Sequence, residues 1–505
     1  MRIQSRIATV VLLSAATLVG SEPASSSSSE KPATVTFNKD VFPILEQNCQ
    51  ECHRPGGIAP MSFLTYQSSR PWAKAIKTAI LQKHMPPWFA EPGGIEFRNA
   101  PKLSASDRDT LVAWIDGGAQ EGDARDKPTP SSRWVEGWRT QPDVVVSMPA
   151  AYTVQATGPG EIRTFSIPNP FKEDTWVTAI EIRPGEPSVV HHAIVQVLKP
   201  ASPPVQSDVA KLSPASGEAL LDLPDNDDDL LAYLTNLAQL KARDENVTLV
   251  ISGGFGGGAG SRSGSGTGSG SIYSGGLTAA RLRERQTGRG AFTTMDAIYA
   301  PGSQPIDFRY TDSAKLIPAG APIQLEVHYT PNGKVSADQT RIGFTLAKAP
   351  PSRRFVIMAP EHLVDIRKPI PAGASNWETK GELVFEQDAE LAWFMPHMHL
   401  RGKDMTYQLI QPDGREETVL TARFNFNWQL GYELSKPIRV TKGTRLVVTA
   451  HHDNSANNRM NPSPDTVLNW GEMTSQEMML PWFGVIVDSD AQPDAIAHYK
   501  PGDLD

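Results

Sequence analysis

The chain has 505 residues, 39% hydrophobic and 21% charged, with a formal net charge of −8. At about 150 residues per domain it has room for about three domains, and its composition excludes a disordered or collagen-like chain. The acidic balance argues against a general nucleic-acid binder, and only 2 cysteines among 42 prolines and 40 glycines argue for short strands and turns without a disulfide scaffold.

Arg2 and Arg6 precede an apolar stretch from Ile7 to Val19, followed by Gly20 and Ser21, which predicts an export signal over residues 1–22. The run falls short of the ~20 residues of a membrane span, and a retained N-terminal anchor is the alternative. The mature protein is expected to be exported, periplasmic or secreted, with no membrane span. Ser25 to Ser29 form a flexible lead-in.

A helical domain is expected over 35–125. Val41, Phe42, Ile44 and Leu45 share one helical face, and Trp72, Ile76, Ala79 and Ile80 make a second stripe. Ser106 with Asp109 reads as a capping box ahead of Leu111, Val112, Trp114 and Ile115, and Gly117 and Gly118 stop that helix. Asp123 to Ser132 is a linker by composition.

Short β-rich runs then alternate with Pro and Gly turns, as in Asp143–Ser147, Trp176–Ile182 and Ile323–Val327, which predicts antiparallel sandwiches. Leu220 to Leu240 is apolar at helical intervals around Asp227 to Asp229. The Gly/Ser-rich stretch 252–276 reads as an insertion, since no strand and helix flank it as a phosphate loop requires. Pro350-Pro351 is the candidate join between a sandwich over 133–349 and another over 350–505. The expected fold is thus an all-α domain followed by two antiparallel β-sandwiches.

Both cysteines lie in Cys49-Gln-Glu-Cys52-His53, the attachment pattern of a c-type haem. Two thiols add to the vinyl groups while His53 ligates iron from one side. A zinc knuckle would need a second Cys or His pair nearby, and a redox dithiol is the other alternative. Met61, His84 and Met85 are candidates for the second axial ligand. Met85 is preferred because Pro86-Pro87 fix a loop that presents its thioether, with ordinary core packing as the alternative. This domain resembles class I cytochromes c, in which a Met before the last helix is the usual ligand.

Three histidine clusters occur in the β-rich part: His191-His192, His328, and His397-Met-His399. Residues two apart on a strand share a face, so His397 and His399 can bind one metal. His191 and His192 can do so only where the strand ends or bulges. Imidazoles with an added thioether point toward copper.

From about Trp134 to Val487 the chain resembles the copper type II, ascorbate-dependent monooxygenases, the family of peptidylglycine and dopamine β-monooxygenases. Val190-His-His192, Glu326-Val-His-Tyr329, His397-Met-His399 with Gly402, and Gly471-Glu-Met-Thr-Ser-Gln-Glu-Met478 carry the likeness, in the family's order. The resemblance implies one copper bound by His191, His192 and His328 that stores an electron. It also implies a second, bound by His397, His399 and Met478 in place of Met473 or Met479, where dioxygen and a C–H bond react. Two copper ions and one haem c are therefore expected, with a small-molecule substrate, dioxygen and an external electron donor as partners. The alternative is a non-catalytic haem–copper electron carrier or copper-binding protein.

Met395 stands where peptide-hydroxylating members carry Arg, and Leu480 and Trp482 where they carry Asn and Tyr. The groups that anchor a peptide carboxylate are thus replaced by apolar ones, which suggests a weakly charged substrate. His451 and His452 are read as a strand end, with support of a ligand or an extra site as the alternative, His362 and His498 as lone exposed residues, and Tyr329 and Trp482 as core, with a cavity lining as the alternative.

Overall fold

The computed structural model describes residues 34–55, 59–101, 103–127, 129, 138–158, 160–198, 292–302, 304–361, 363–364, 368–471 and 474–499. The expected signal 1–22, the apolar intervals of Leu220 to Leu240, the stretch 252–276, His362 and Met473 lie outside the described residues.

The N-terminal part holds helices Phe42–Asn48, Tyr66–Ser69, Ala73–Leu81 and Ala105–Asp116. Val41, Phe42, Leu45, Ile76, Ile80 and Leu111 meet Phe37 and Trp114 in one small core. Two details differ from expectation. The capping box is Ser104 with Asp107, whose side chains bond each other's backbone N–H; Ser106 is already inside the helix, where its carbonyl accepts from Thr110. Trp72 is 41% exposed, because the chain enters the next helix through Pro71 and Ala73 takes the inward position.

The remainder is antiparallel sheet. One apolar core, built on Val177, Ile180, Leu325, Val327 and Phe344, joins two sheets. The first contains Val144–Ser147, Arg341–Leu346, Thr175–Arg183 and Ile306–Asp307, with Lys315–Ile317 also on Thr175–Arg183. The second runs Glu161–Ile167, Ile323–Tyr329, Val190–Val197 and Ala297–Tyr299.

A second core, built on Leu383, Phe394, Tyr407, Leu446 and Phe483, joins two five-stranded sheets. One runs Tyr432–Val440, Ala389–His397, Leu480–Asp488, Arg353–Pro360 and Phe292–Met295. The other runs Glu416–Arg423, Gly402–Ile410, Arg445–His452, Trp377–Phe385 and Ala497–Tyr499.

The sheet carrying Ala389–His397 is buried on both faces, which is why its strands read as near-continuous apolar runs. Phe394, Phe483 and Val485 point into the second core, whereas Trp393, Met395 and Trp482 pack onto the first.

The helical part is tied to both pairs of sheets. Its loop between the last two helices lies along the second pair, where Arg423 N–H donates to the Phe89 carbonyl at 3.0 Å and Arg98 N–H to the Glu433 carbonyl at 2.8 Å. Trp88 and Phe97 meet Tyr432 edge-on at 5.0 and 5.7 Å. On the other side Glu51, between the two cysteines, ion-pairs with Arg139 and accepts from Gln304 Nε2 at 3.0 Å.

Candidate functional site

Strand alternation alone would separate His191 from His192, and a bulge resolves the conflict. The ladder between Ile323–Tyr329 and Val190–Val197 pairs His328 with His192 and Tyr329 with Val190, leaving His191 as the extra residue. The inserted residue shifts the phase of the strand. Val190 therefore faces the core beside Ala193, and both imidazoles stand outside it. The rings of His191 and His192 are 5.2 Å apart, and His328 lies 5.5 and 4.8 Å from them. One ligand atom from each of the three falls within 4.8 Å of the other two.

His397 and His399 come from the end of the strand Ala389–His397, whose register pairs Met395 with Trp482 and His397 with Leu480. Continued by two residues, that register sets Met478 opposite His399. Side chains of this phase leave the sheet toward the first core, while Met398 and Met479, one residue out of phase, are buried in the second. Met478, the thioether implied by the resemblance, joins His397 and His399 in lining one cavity, and Met479 does not.

That cavity also receives His192 and His328, so donors expected at two separate centres share one space walled by Ile162, Ile194, Ile298, Met395 and Trp482. Trp482 thus lines the cavity as well as the core. Tyr329 is fully buried in the core, where its hydroxyl donates to Asp338 at 2.8 Å.

Burial holds every one of these imidazoles in the neutral form that ligates metal. It lowers His191, with partial compensation from the Phe426 carbonyl, and drives His192 well down, reinforced by its imidazole neighbours. His328 and His397 are each pushed down to about 4 and His399 to about 3, burial being the main cause in all three.

Hydrogen bonds fix the tautomers. His397 Nδ1–H donates to Gln429 Oε1 at 2.6 Å, and His399 Nδ1–H to the Gln476 carbonyl at 3.2 Å, which leaves both Nε2 atoms for a ligand. His191 Nε2–H donates to the Phe426 carbonyl at 3.1 Å, leaving its Nδ1 buried without a partner. The same carbonyl accepts from Gln429 Nε2 at 3.4 Å, so one amide links His191 of the first cluster to His397 of the second.

His192 Nε2 and His328 Nδ1 face each other at 3.0 Å, and His192 Nδ1 is buried without a partner. Two nitrogens bound to one ion at about 2.0–2.1 Å lie about 3 Å apart, so this spacing and the orphaned Nδ1 of His191 fit a transition metal, whereas His192 Nδ1 is the far nitrogen of its ring.

Gln429, Glu477 and the carbonyls of Phe426 and Gln476 were not legible as site residues, since no spacing rule marks a group that bonds a ligand's far nitrogen. Glu477 is fully buried. Burial pushes its carboxyl up to about 7, against the pull of backbone N–H donors from His399, Arg401 and Met478. His452 ends its strand 3.8 Å behind it, as expected of a strand end. His451 bonds Asp404 at 2.6 Å from the other face. His498 is not a lone exposed residue; its ring is half-buried and 2.7 Å from Glu386.

In the helical part Cys49 and Cys52 are free thiols. Burial pushes them up to about 12 and about 11, the opposite of the depressed value a redox dithiol needs. His53 follows in the same turn, stacked on Phe63 at 4.3 Å and lowered by burial. Cys52 lines a cavity of about 590 Å³ together with Pro86, Pro87, Trp88, Arg98 and Arg139. Of the axial candidates, His84 is exposed, Met61 packs on the helical core, and Met85 is half-buried, one residue before Pro86. The order of two thiols and an imidazole suits a thioether-linked haem, but of these groups only Cys52 lines the cavity, and Cys49, His53 and Met85 do not. Among the described residues no helix is long and apolar enough to cross a membrane.

Compared with family models and with curated proteins, the chain matches none.

Proposed function

We propose that this chain is an exported copper-dependent monooxygenase that hydroxylates a C–H bond of a small, weakly charged substrate, with electrons supplied through a covalently attached c-type haem. The observation that supports it most is the shared cavity, where imidazoles from two sandwiches and the Met478 thioether converge between apolar walls. Two copper ions at such donors supply one-electron redox chemistry and dioxygen activation, and a haem on Cys49 and Cys52 supplies electrons.

The protein's own contribution is positional. His191, His192 and His328 present neutral imidazoles from one bulged ladder, and His397, His399 and Met478 present two imidazoles and a softer sulfur from the facing sheet. Gln429 keeps the His397 proton on Nδ1. Ile162, Ile194, Ile298, Met395 and Trp482 leave a space of only about 30 Å³ beside the donors, and an uncharged substrate would meet these apolar side chains at its open side. The pairing of Glu51 with Arg139 holds the cysteine loop against the first sandwich, and a donor tethered to its acceptor acts at high effective concentration. His53 and Met85 are the residues that would hold the haem iron. An exogenous reductant, ascorbate-like or a redox protein, would be the source of the electrons.

The test is oxygen uptake by the metal-loaded, reduced protein with labelled dioxygen and a product screen by mass spectrometry. Incorporation of one labelled oxygen atom per product is expected. Copper and haem binding without any oxygenated product would leave the electron-carrier reading standing instead.

A further inference from the structure

The carboxylate of Glu477 has no direct contact with the cavity, yet it touches the backbone of both segments that deliver ligands to it. Its Oε2 accepts from the N–H of His399 at 2.8 Å and of Met478 at 3.1 Å, and its Oε1 accepts from the N–H of Arg401 at 2.7 Å. These segments are far apart in the chain and meet only where the sheet ends, so no ladder bond fixes their spacing beyond His397 and Leu480.

We infer that Glu477 is a positioning residue, a buried clamp that sets the distance between the His399 imidazole and the Met478 thioether. The inference rests on the copper reading for its consequence but not for its geometry. Side chains that ligate a soft metal must be held within about half an ångström to select it, and the groups that hold them are usually as necessary as the ligands. A carboxylate suits the task because it has two oxygens and no proton donor when ionised, so it can accept from all three amides at once. An amide of the same shape cannot, because its NH2 opposes one of the three N–H groups. The segment is backed on its other side by Arg401, only 1% exposed, whose guanidinium donates to Asn461, Ser463 and the Ser475 carbonyl. Movement of the clamp is therefore not absorbed by a soft surround.

The test compares the full-length protein with Glu477→Gln in two measurements. Hydrogen–deuterium exchange of the metal-free protein reads the amides of His399, Arg401 and Met478. Protection is expected to fall about 10-fold or more at Arg401, with smaller losses at the other two, while amides of the strand Arg445–His452 stay protected. X-ray absorption of the Cu(I)-loaded protein reads the thioether directly. The wild type is expected to show a copper–sulfur shell that the variant loses or weakens, with the imidazole shell kept. Unchanged exchange at all three amides, or a sulfur shell of wild-type amplitude in the variant, overturns the clamp. A wild type that binds copper with no sulfur shell overturns the copper reading at Met478, a different result from failure of the clamp. Loss of protection throughout the variant, strand Arg445–His452 included, also counts against it, since that is the mark of a purely structural carboxylate.

Discussion

His192 of the first sandwich and His397 of the second are in ring contact, with centroids 6.1 Å apart and planes crossing at 86°. The two donor sets are therefore neighbours on one cavity. Replacement of one should be felt at the other. His192→Ala is expected to remove one copper per chain, measured by elemental analysis after dialysis. It is also expected to change the electron paramagnetic resonance spectrum of the copper left at His397 and His399. An unaltered spectrum would mean that the two sets act as isolated centres.

Gln429 offers a sharper test, because it touches no metal-binding nitrogen. Its Oε1 takes the proton of His397 Nδ1, and it is only 3% exposed. Gln429→Leu should release the ring and weaken metal binding at His397 by about 10–100-fold, the usual cost of losing a ligand's hydrogen-bond partner. Competition against a chelator of known affinity measures this.

The buried imidazoles give the metal-free protein a defined acid sensitivity. Their values lie below the unfolded value of 6.5, at about 4 for His328 and His397 and about 3 for His399. Between these pH values the unfolded chain binds more protons than the folded one, so stability rises with pH across that window and the gain is complete above it. His328, 8% exposed, accounts for about 3 kcal/mol between pH 4 and 6.5. Glu477, raised to about 7, and Glu433, raised to about 6, act in the opposite sense but are outnumbered. Denaturant midpoints of the metal-free protein should fall steadily as pH drops from 6.5 to 4. Midpoints that stay flat or rise would contradict the burial of these rings.

Gly402 closes the turn after His399. A Cβ there would lie 2.6 Å from Met398 Cβ and 2.6 Å from Phe424 Cδ1, both closely packed. Gly402→Ala is expected to destabilise the fold by about 1–3 kcal/mol, as overpacking does, and to loosen metal at His397 and His399. Thermal unfolding and metal retention measured together would show both effects.

Much of this was legible in the sequence because two periodicities, helical and strand, leave apolar residues where the cores need them. Val41, Phe42 and Leu45 are buried as their spacing requires, and His397 and His399 share a face because a strand alternates. The parts that were not legible have physical reasons. The helix cap slipped by two residues because Ser104, Ser106, Asp107 and Asp109 offer two equivalent boxes to pattern reading. The bulge at His191 depends on what lies opposite, namely Val190 meeting Tyr329, and no local rule counts residues across a ladder. Gln429 and Glu477 act through bonds to partners 32 and 78 residues away in the chain.

The strand Phe292–Met295 pairs with Arg353–Pro360 on the far side of Pro350-Pro351, completing a sheet of the second sandwich from within the stretch expected to form the first. The two halves are thus interleaved. A fragment beginning at residue 350 would start with that edge uncapped, presenting bare amides and carbonyls beside the apolar face of Trp393 and Met395 that the first core normally covers. Such a piece should clump when expressed by itself, and recombination at that joint could not shuffle either half into another gene as a working cassette.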